Sequence, residues 1–133
     1  MKSKLTFHPG FRLSEMDVGI LILGICTSVL LARLDQWLGF ALLFLLAHFF
    51  LFGNVLRMRR LLEILWAVVF VLLAGRTVHR GVPAWNYTLL AMFGVTSIVF
   101  VVQIFQPSYH GVLWKKINPN LRQWWAVNKE QQA

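Results

Sequence analysis

The chain has 133 residues, of which 58% are apolar and 14% are charged, and its formal net charge is +8. A typical soluble domain carries about 25% charged residues, so this composition excludes an ordinary water-soluble domain. The single cysteine, Cys26, excludes an intramolecular disulfide and implies no oxidising compartment. We predict that residues 1–133 form a single transmembrane domain.

Three long apolar runs cover residues 18–56, 61–78 and 84–105. A helix needs about 20 apolar residues to cross the hydrocarbon layer, so the three runs hold four crossings and the first run folds back on itself. The runs do not alternate between apolar and polar residues, which excludes a transmembrane β-barrel. The sequence therefore predicts an all-α integral membrane protein with four transmembrane helices.

The N-terminal segment, residues 1–14, mixes basic and aromatic side chains around a Pro-Gly pair. This composition is typical of a segment that lies at the membrane surface. Ser14 stands three residues before Asp17, which is the spacing of a capping box. The pair predicts that helix 1 begins at residue 15 and covers residues 15–33.

The turn after helix 1 contains Asp35, whose side chain is placed to cap helix 2 over residues 36–56. Gly53 and Asn54 suit the end of that helix. The arginines that follow belong outside the hydrocarbon, so we predict that helix 3 covers residues 60–79.

The C-terminal part begins with Pro83, placed at the first position of helix 4, where its missing amide costs no hydrogen bond. Helix 4 is predicted over residues 84–105, and residues 107–133 form a second surface segment. Three tryptophans of this segment stand near basic residues and are predicted to contact lipid headgroups or a partner subunit: Trp114, Trp124 and Trp125.

The orientation follows from the distribution of lysine and arginine. With four crossings, 10 of the 13 basic residues lie on the side of both termini and 3 lie on the other side. Cytoplasmic loops carry the excess of basic residues, so both termini are predicted to be inside, in a multi-pass protein of the cell inner (plasma) membrane. Topology and contact with anionic headgroups then account for the net charge, and no nucleic-acid partner is predicted.

Small residues recur along two of the predicted helices at helical spacing. We call these the first strip, in helix 1, and the second strip, in helix 4. Small residues let two helix backbones approach closely in lipid, either within one chain or between subunits. Both contacts remain open for the first strip, Gly24, Ser28 and Ala32, and for the second strip, Ala91, Gly94 and Ser97.

Arg76 and Arg80 are predicted at the outer end of helix 3, against the charge bias. Asp35 is expected at the same depth and is predicted to pair with one of them, leaving the other for a headgroup or for a carboxylate of a partner. Snorkelling of the two long side chains is the alternative explanation.

His48 lies near the middle of helix 2, and imidazole is a common ligand of metals and haem. The sequence offers no second ligand at matching depth, so a hydrogen-bonded structural role is favoured over a cofactor contact. We predict no cofactor and no metal, and contact of His48 with haem or quinone remains an alternative.

No catalytic motif occurs in the chain, so no enzyme activity is predicted. The leading hypothesis is a non-catalytic accessory or scaffold subunit of a larger membrane protein complex, with an energy-transducing (respiratory or photosynthetic) complex as one example. The alternative is a small homo-oligomeric channel or transporter. Its pore would use the polar residues on one face of helix 4: Thr88, Thr96 and Gln103.

Overall fold

The computed structural model describes residues 7–129, so residues 1–6 and 130–133 of the predicted surface segments lie outside it. The described chain is helical and contains no strand. Four helices are long and apolar enough to cross a membrane. They are α1 (Glu15–Leu34), α2 (Gln36–Phe50) with a π-helical turn (Leu51–Val55), α3 (Arg60–Arg80) and α4 (Trp85–Ile104), followed by the short helices α5 (Trp114–Ile117) and α6 (Leu121–Lys129).

Polar side chains begin the first two helices as the sequence predicts. Asp17 Oδ2 accepts from the N–H of Ser14 at 2.8 Å, while Ser14 Oγ accepts from the N–H of Asp17 at 3.2 Å. Asp35 Oδ1 accepts from the N–H of Trp37 at 2.8 Å. Each cap satisfies amides that have no partner within the helix, and the predicted bounds of α1 and α3 agree with the structure to within one residue.

The prediction for Pro83 is wrong. The helix α4 begins at Trp85, with Ala84 as its N-cap residue, so Pro83 lies before the helix rather than at its first position. At the other end of this connection Gly81 has φ +67 and ends α3 in the left-handed conformation that glycine adopts without strain.

The end of α2 departs from a regular helix. In the π-helical turn the N–H of Leu56 donates to Leu51 O at 2.8 Å, five residues back instead of four. Gly53 and Asn54 therefore lie inside this turn instead of ending the helix. The carbonyl oxygens of Asn54 and Val55, which have no partner within the helix because they lie at its end, accept from Arg12 N at 3.1 Å and Val112 N at 2.9 Å.

The four long helices form two hairpins, α1–α2 and α3–α4. The core lies where α2, α3 and α4 meet and consists mainly of large apolar and aromatic side chains. Residues 7–12, 54–58 and 107–125 come together at one end of the bundle, before α1 and after α4, and we call this region the terminal platform.

Candidate functional site

The first strip packs against α2. A Cβ atom added at Gly24 would lie 2.7 Å from Leu46 Cδ2, so this glycine makes room for the leucine. On the facing helix, a Cβ added at Gly39 would lie 2.7 Å from Ser28 O and 2.8 Å from Ala32 Cα. Gly39 is therefore where the two backbones meet, and α2 occupies the face on which Gly24 and Ser28 lie.

The second strip lies on the outside of the bundle. Its residues Ala91, Gly94 and Ser97 are exposed, and no atom lies within 4 Å of a Cβ added at Gly94. Ser97 Oγ donates to Phe93 O at 2.9 Å, which satisfies its hydroxyl proton within α4. The two strips are alike in sequence, yet one is occupied by a helix of this chain and the other is open.

Hydroxyl groups join α3 to α4 on the opposite face. The Oγ1 atoms of Thr77 and Thr88 are 2.7 Å apart and both residues are buried. Nearer the other end, Trp66 Nε1 donates to Thr96 Oγ1 at 2.9 Å. Gln103, also predicted as pore-lining, is 1% exposed. The polar face of α4 therefore lies inside the chain's own bundle.

His48 lies in a cluster of aromatic rings that joins the two hairpins. It is 6% exposed, and its ring stacks on that of Trp66 with a centroid distance of 4.7 Å and an interplanar angle of 14°. Phe44 lies 4.1 Å away on the same helix, and Phe52 meets Trp66 edge to face at 5.3 Å. Such ring pairs add about 0.5–1.5 kcal/mol each beyond the burial of their area.

The imidazole of His48 also has a hydrogen bond. Its Nδ1 lies 2.8 Å from Phe44 O, and because a carbonyl only accepts, the proton is on Nδ1 and the lone pair on Nε2. Within residues 7–129 no three His, Cys, Asp or Glu side chains come together in a group that would hold a metal ion. The structure thus gives His48 a place in the packing, while its contact with haem or quinone remains a hypothesis.

Arg76 and Arg80 are exposed near the end of α3. Asp35 lines a cavity of about 380 Å³ together with Thr77 and Gly81 of that end. Asp35 therefore lies at the same depth as the end of α3, as the sequence predicts. Its carboxylate accepts from Trp37, however, and within the described residues it forms no ion pair with either arginine. The predicted pairing is wrong, and both guanidinium groups are available to other groups.

The terminal platform is held together by backbone hydrogen bonds between segments distant in sequence. Gly10 N donates to His110 O at 2.8 Å, in addition to the bonds that link Arg12 to Asn54 and Val112 to Val55. A Cβ added at Gly111 would lie 2.5 Å from Leu56 O, so only glycine permits this approach. The platform is therefore a specific folded unit.

A cavity of about 680 Å³ opens in the platform, and we call it the terminal cavity. Two arginines and two histidines line it beside aromatic rings: Phe7, His8, Pro9, Phe11, Arg12, Arg57, His110 and Trp125. Arg57 has φ +48, a conformation that costs a non-glycine residue roughly 1–2 kcal/mol. Its Nη1 donates to His8 O. The chain thus keeps an arginine where glycine would be less strained.

Positive charge accumulates around the terminal cavity. Burial lowers the pKa of Arg57, and the neighbouring Arg12 lowers that pKa further. Burial also lowers the pKa of His110, the charge of Arg57 acts in the same direction, and the hydrogen bond from His110 Nδ1 to Ser108 O opposes both. Burial raises the pKa of the Tyr109 hydroxyl. Arg57 therefore lies close enough to both Arg12 and His110 for their positive charges to repel.

The predicted tryptophans cluster on the platform. Trp114 and Trp125 each meet the ring of Phe7 edge to face, at centroid distances of 5.7 and 5.6 Å. Trp124 packs beside Trp125 at 6.5 Å, and Lys115 Nζ lies 5.9 Å from the centre of the Trp114 ring. The aromatic rings therefore form a wall of the terminal cavity as well as a surface at this end of the bundle.

Comparisons with protein-family models, with curated proteins and with solved structures find no match to this chain.

Two features were missed in the sequence. Trp66 carries the central stack and the bond to Thr96, and its position in mid-helix, away from the interfaces where tryptophan is common, is a signal that points to it. The terminal cavity joins Arg12, Arg57 and His110, which lie far apart along the chain. The basic character of each segment is visible in the sequence, but their convergence is not.

Proposed function

We propose that this chain is a non-catalytic accessory or scaffold subunit of a larger membrane protein complex. The observation that carries the proposal is the open second strip, Ala91, Gly94 and Ser97, on the outside of α4. Lipid tails solvate large apolar side chains as well as a protein does, so helices in a bilayer associate through close contact at small residues. A partner helix is the occupant that such a strip favours.

Two further observations support a partner. The helix α1 buries only Ser28 of its 20 residues, which leaves a broad apolar face beyond the contact with α2. Arg76 and Arg80 are exposed at the end of α3, where carboxylates of another subunit would pair with them. By contrast, two of the polar residues of α4 that would serve a pore, Thr88 and Thr96, are hydrogen-bonded to α3 within the chain.

The proposed setting is the cell inner membrane, with both termini in the cytoplasm. The charge bias of 10 basic residues against 3 supports this orientation. Single cysteines at Arg59 and Val82, both exposed, test it in a Cys26→Ser background. An impermeant thiol reagent added to intact cells is expected to label position 82 and to spare position 59. Labelling of position 59 from outside contradicts the orientation.

The subunit proposal is tested by gentle detergent extraction followed by native mass measurement. The 15.4 kDa chain is expected to travel with other subunits. Gly94→Leu should abolish that association, because the leucine fills the strip, while the purified variant keeps its thermal stability because the site is open. Gly19→Leu is the matched control, since Gly19 is equally open but lies outside both strips; it should leave the thermal stability unchanged and should not abolish the association.

A chain that purifies alone, or an association that survives Gly94→Leu, contradicts the proposal. A defined homo-oligomer that depends on Gly94 and contains no other subunit favours the alternative, a small homo-oligomeric channel or transporter. A pore would then have to be lined by residues other than Thr88 and Thr96, because both lie inside the bundle.

A further inference from the structure

Basic side chains from three parts of the chain line the terminal cavity. Arg12 comes from the segment before α1, Arg57 from the connection between α2 and α3, and His110 from the segment after α4. Three parts of the chain thus bring cationic or proton-donating groups to one volume. All three residues lie in connecting segments, and none of them belongs to the first turn of a helix.

The described residues that line the terminal cavity carry positive charge, and only part of that charge is balanced by a nearby carboxylate. Within the described residues no carboxylate lines the cavity. Asp17 lines a different cavity, but it lies close enough to Arg12 for their charges to attract, so it balances part of the charge of Arg12. Its Oδ2 also accepts from both the N–H and the hydroxyl of Ser14, at 2.8 and 2.7 Å. Like charges brought together disfavour the folded state, and an anion in the cavity would relieve the repulsion between Arg57 and each of its neighbours, Arg12 and His110.

We propose that the terminal cavity binds a phosphate-bearing anion between the guanidinium groups of Arg12 and Arg57. His110 already donates from Nδ1 to Ser108 O, so it adds a hydrogen bond from Nε2 when its ring is protonated. This inference is independent of the subunit function proposed above.

The donors suit phosphate. A guanidinium group carries five N–H donors in a planar fork and binds phosphate oxygens through paired hydrogen bonds. Arg57 uses Nη1 for His8 O, which fixes its side chain and leaves its other N–H groups for a ligand. The left-handed conformation of Arg57 supports the same conclusion, because a strained residue that is retained points to a role of its side chain.

The size and the walls of the cavity fit a phosphate ester. Small-molecule sites commonly measure about 300–1,000 Å³, and the terminal cavity, at about 680 Å³, lies within that range. The rings of Phe7, Phe11 and Trp125 provide an apolar wall beside the cationic groups. Two sources share this chemistry: the headgroup of an anionic phospholipid at the membrane surface, and free phosphate or a soluble phosphate ester.

Titration of the full-length protein in a zwitterionic detergent tests the proposal, with tryptophan fluorescence as the readout because Trp125 lines the cavity. The probes are short-chain phosphatidylglycerol, short-chain phosphatidylcholine and inorganic phosphate. Saturable binding of phosphatidylglycerol, with none of phosphatidylcholine, is expected. If inorganic phosphate binds as tightly as phosphatidylglycerol, the phosphate site is confirmed and its ligand is free phosphate or a soluble phosphate ester. If only phosphatidylglycerol binds, the ligand is a lipid headgroup.

Two variants remove the proposed donors from different sides. Arg57→Gly relieves the strained φ, and Arg12→Gln leaves the backbone bond from Arg12 to Asn54 in place, so each is expected to fold. Each should raise the Kd about tenfold, which is the change expected when one charge-assisted hydrogen bond is lost. The matched control is Arg59→Gln, which removes an equal charge from an exposed arginine outside the cavity and should leave the Kd unchanged.

Two results overturn the proposal. One is the lack of saturable binding of either phosphate probe to the folded wild-type chain. The other is an equal loss of affinity in Arg57→Gly, Arg12→Gln and Arg59→Gln, which means that the net charge rather than the cavity attracts the anion. Circular dichroism and thermal unfolding of every variant establish that a lost affinity does not reflect a lost fold.

Discussion

The two hairpins are joined by different chemistry. Between α1 and α2, small residues let the backbones meet, with Gly39 against Ser28 and Ala32. Between α3 and α4, larger side chains fill the space and two hydrogen bonds cross it, Thr77 to Thr88 and Trp66 to Thr96. The helices have nearly equal mean hydropathy, 1.9 to 2.1, so apolar character alone does not explain the difference.

This difference predicts how each hairpin tolerates substitution. A backbone contact has no space for a larger side chain and no flexible atom that moves away, so it fails abruptly when volume is added. A side-chain contact loses one bond at a time, and its polar groups retain other partners. The first hairpin is therefore expected to be sensitive to volume and the second to the loss of hydrogen bonds.

The largest effect is expected from Gly39→Leu. The new side chain meets backbone atoms of Ser28 and Ala32 at the closest point of the hairpin, and overpacking of this kind costs about 3 kcal/mol or more. Thermal unfolding of the detergent-purified chain measures the loss. Gly75→Leu is the matched control, because that glycine has open space and should leave the stability unchanged. Equal stability of the two variants would show that α1 and α2 separate easily.

A smaller loss, about 2 kcal/mol, is expected from Trp66→Phe, which removes the bond to Thr96 and part of the stack with His48. The hydroxyl of Thr96 still donates to Met92 O at 2.8 Å, so no buried donor is left without a partner. Trp37→Phe, at an exposed position, is the control in the same unfolding assay. Similar losses in both variants would show that the contacts of Trp66 with His48 and Thr96 do not account for the loss of stability.

Thr88→Val is expected to cost only about 0.6–1 kcal/mol, the usual value of one hydrogen bond between helices in a membrane. Thr77 keeps its bond to Leu73 O at 3.0 Å, and the valine retains the volume of the threonine. Thr27→Val, exposed on α1, is the control. A loss as large as that of Gly39→Leu would contradict the contrast between the hairpins.

The smallest effect concerns pH and lies in the terminal platform. Because burial lowers the pKa of His110 below its usual value near 6.5, the unfolded chain binds this proton before the folded chain does. Stability is therefore expected to fall as the pH drops below about 6.5. His110→Gln should weaken that dependence, because the variant lacks the imidazole that takes up the proton. Unfolding curves between pH 7.5 and pH 5, values chosen to bracket the usual histidine pKa of about 6.5, measure it; an unchanged slope in His110→Gln contradicts the assignment.

Local signals predicted the long helices well. The apolar runs have the length of a crossing, and the caps at Ser14 and Asp35 depend on residues within three positions of each other, so both can be recognised in the sequence. The π-helical turn at Leu51–Val55 was not predicted, because it is completed by bonds from Arg12 and Val112, which are distant in sequence.

The faces of the helices were harder to predict than their ends. In water a buried face is more apolar than an exposed one, but in lipid both faces are apolar, so hydropathy does not distinguish them. Gly24 and Gly94 stand in similar strips, and only the structure shows that the first faces Leu46 and the second faces outward. The Asp35 pairing failed for a related reason: equal depth along two helices does not bring two side chains together.

The π-helical turn sets the direction, about the helix axis, in which the residues after it project. An α-helix turns about 100° per residue, so the deletion of one residue from Leu51–Val55 would restore the regular repeat and rotate the base of Arg57 by about that angle. The same rotation would turn the carbonyls of Asn54 and Val55 away from the N–H groups of Arg12 and Val112 that they now bind. The deletion of this one residue would barely alter the hydropathy of the chain, yet it would separate the helix bundle from the segments before α1 and after α4. Any redesign of the chain therefore has to preserve the length of the turn.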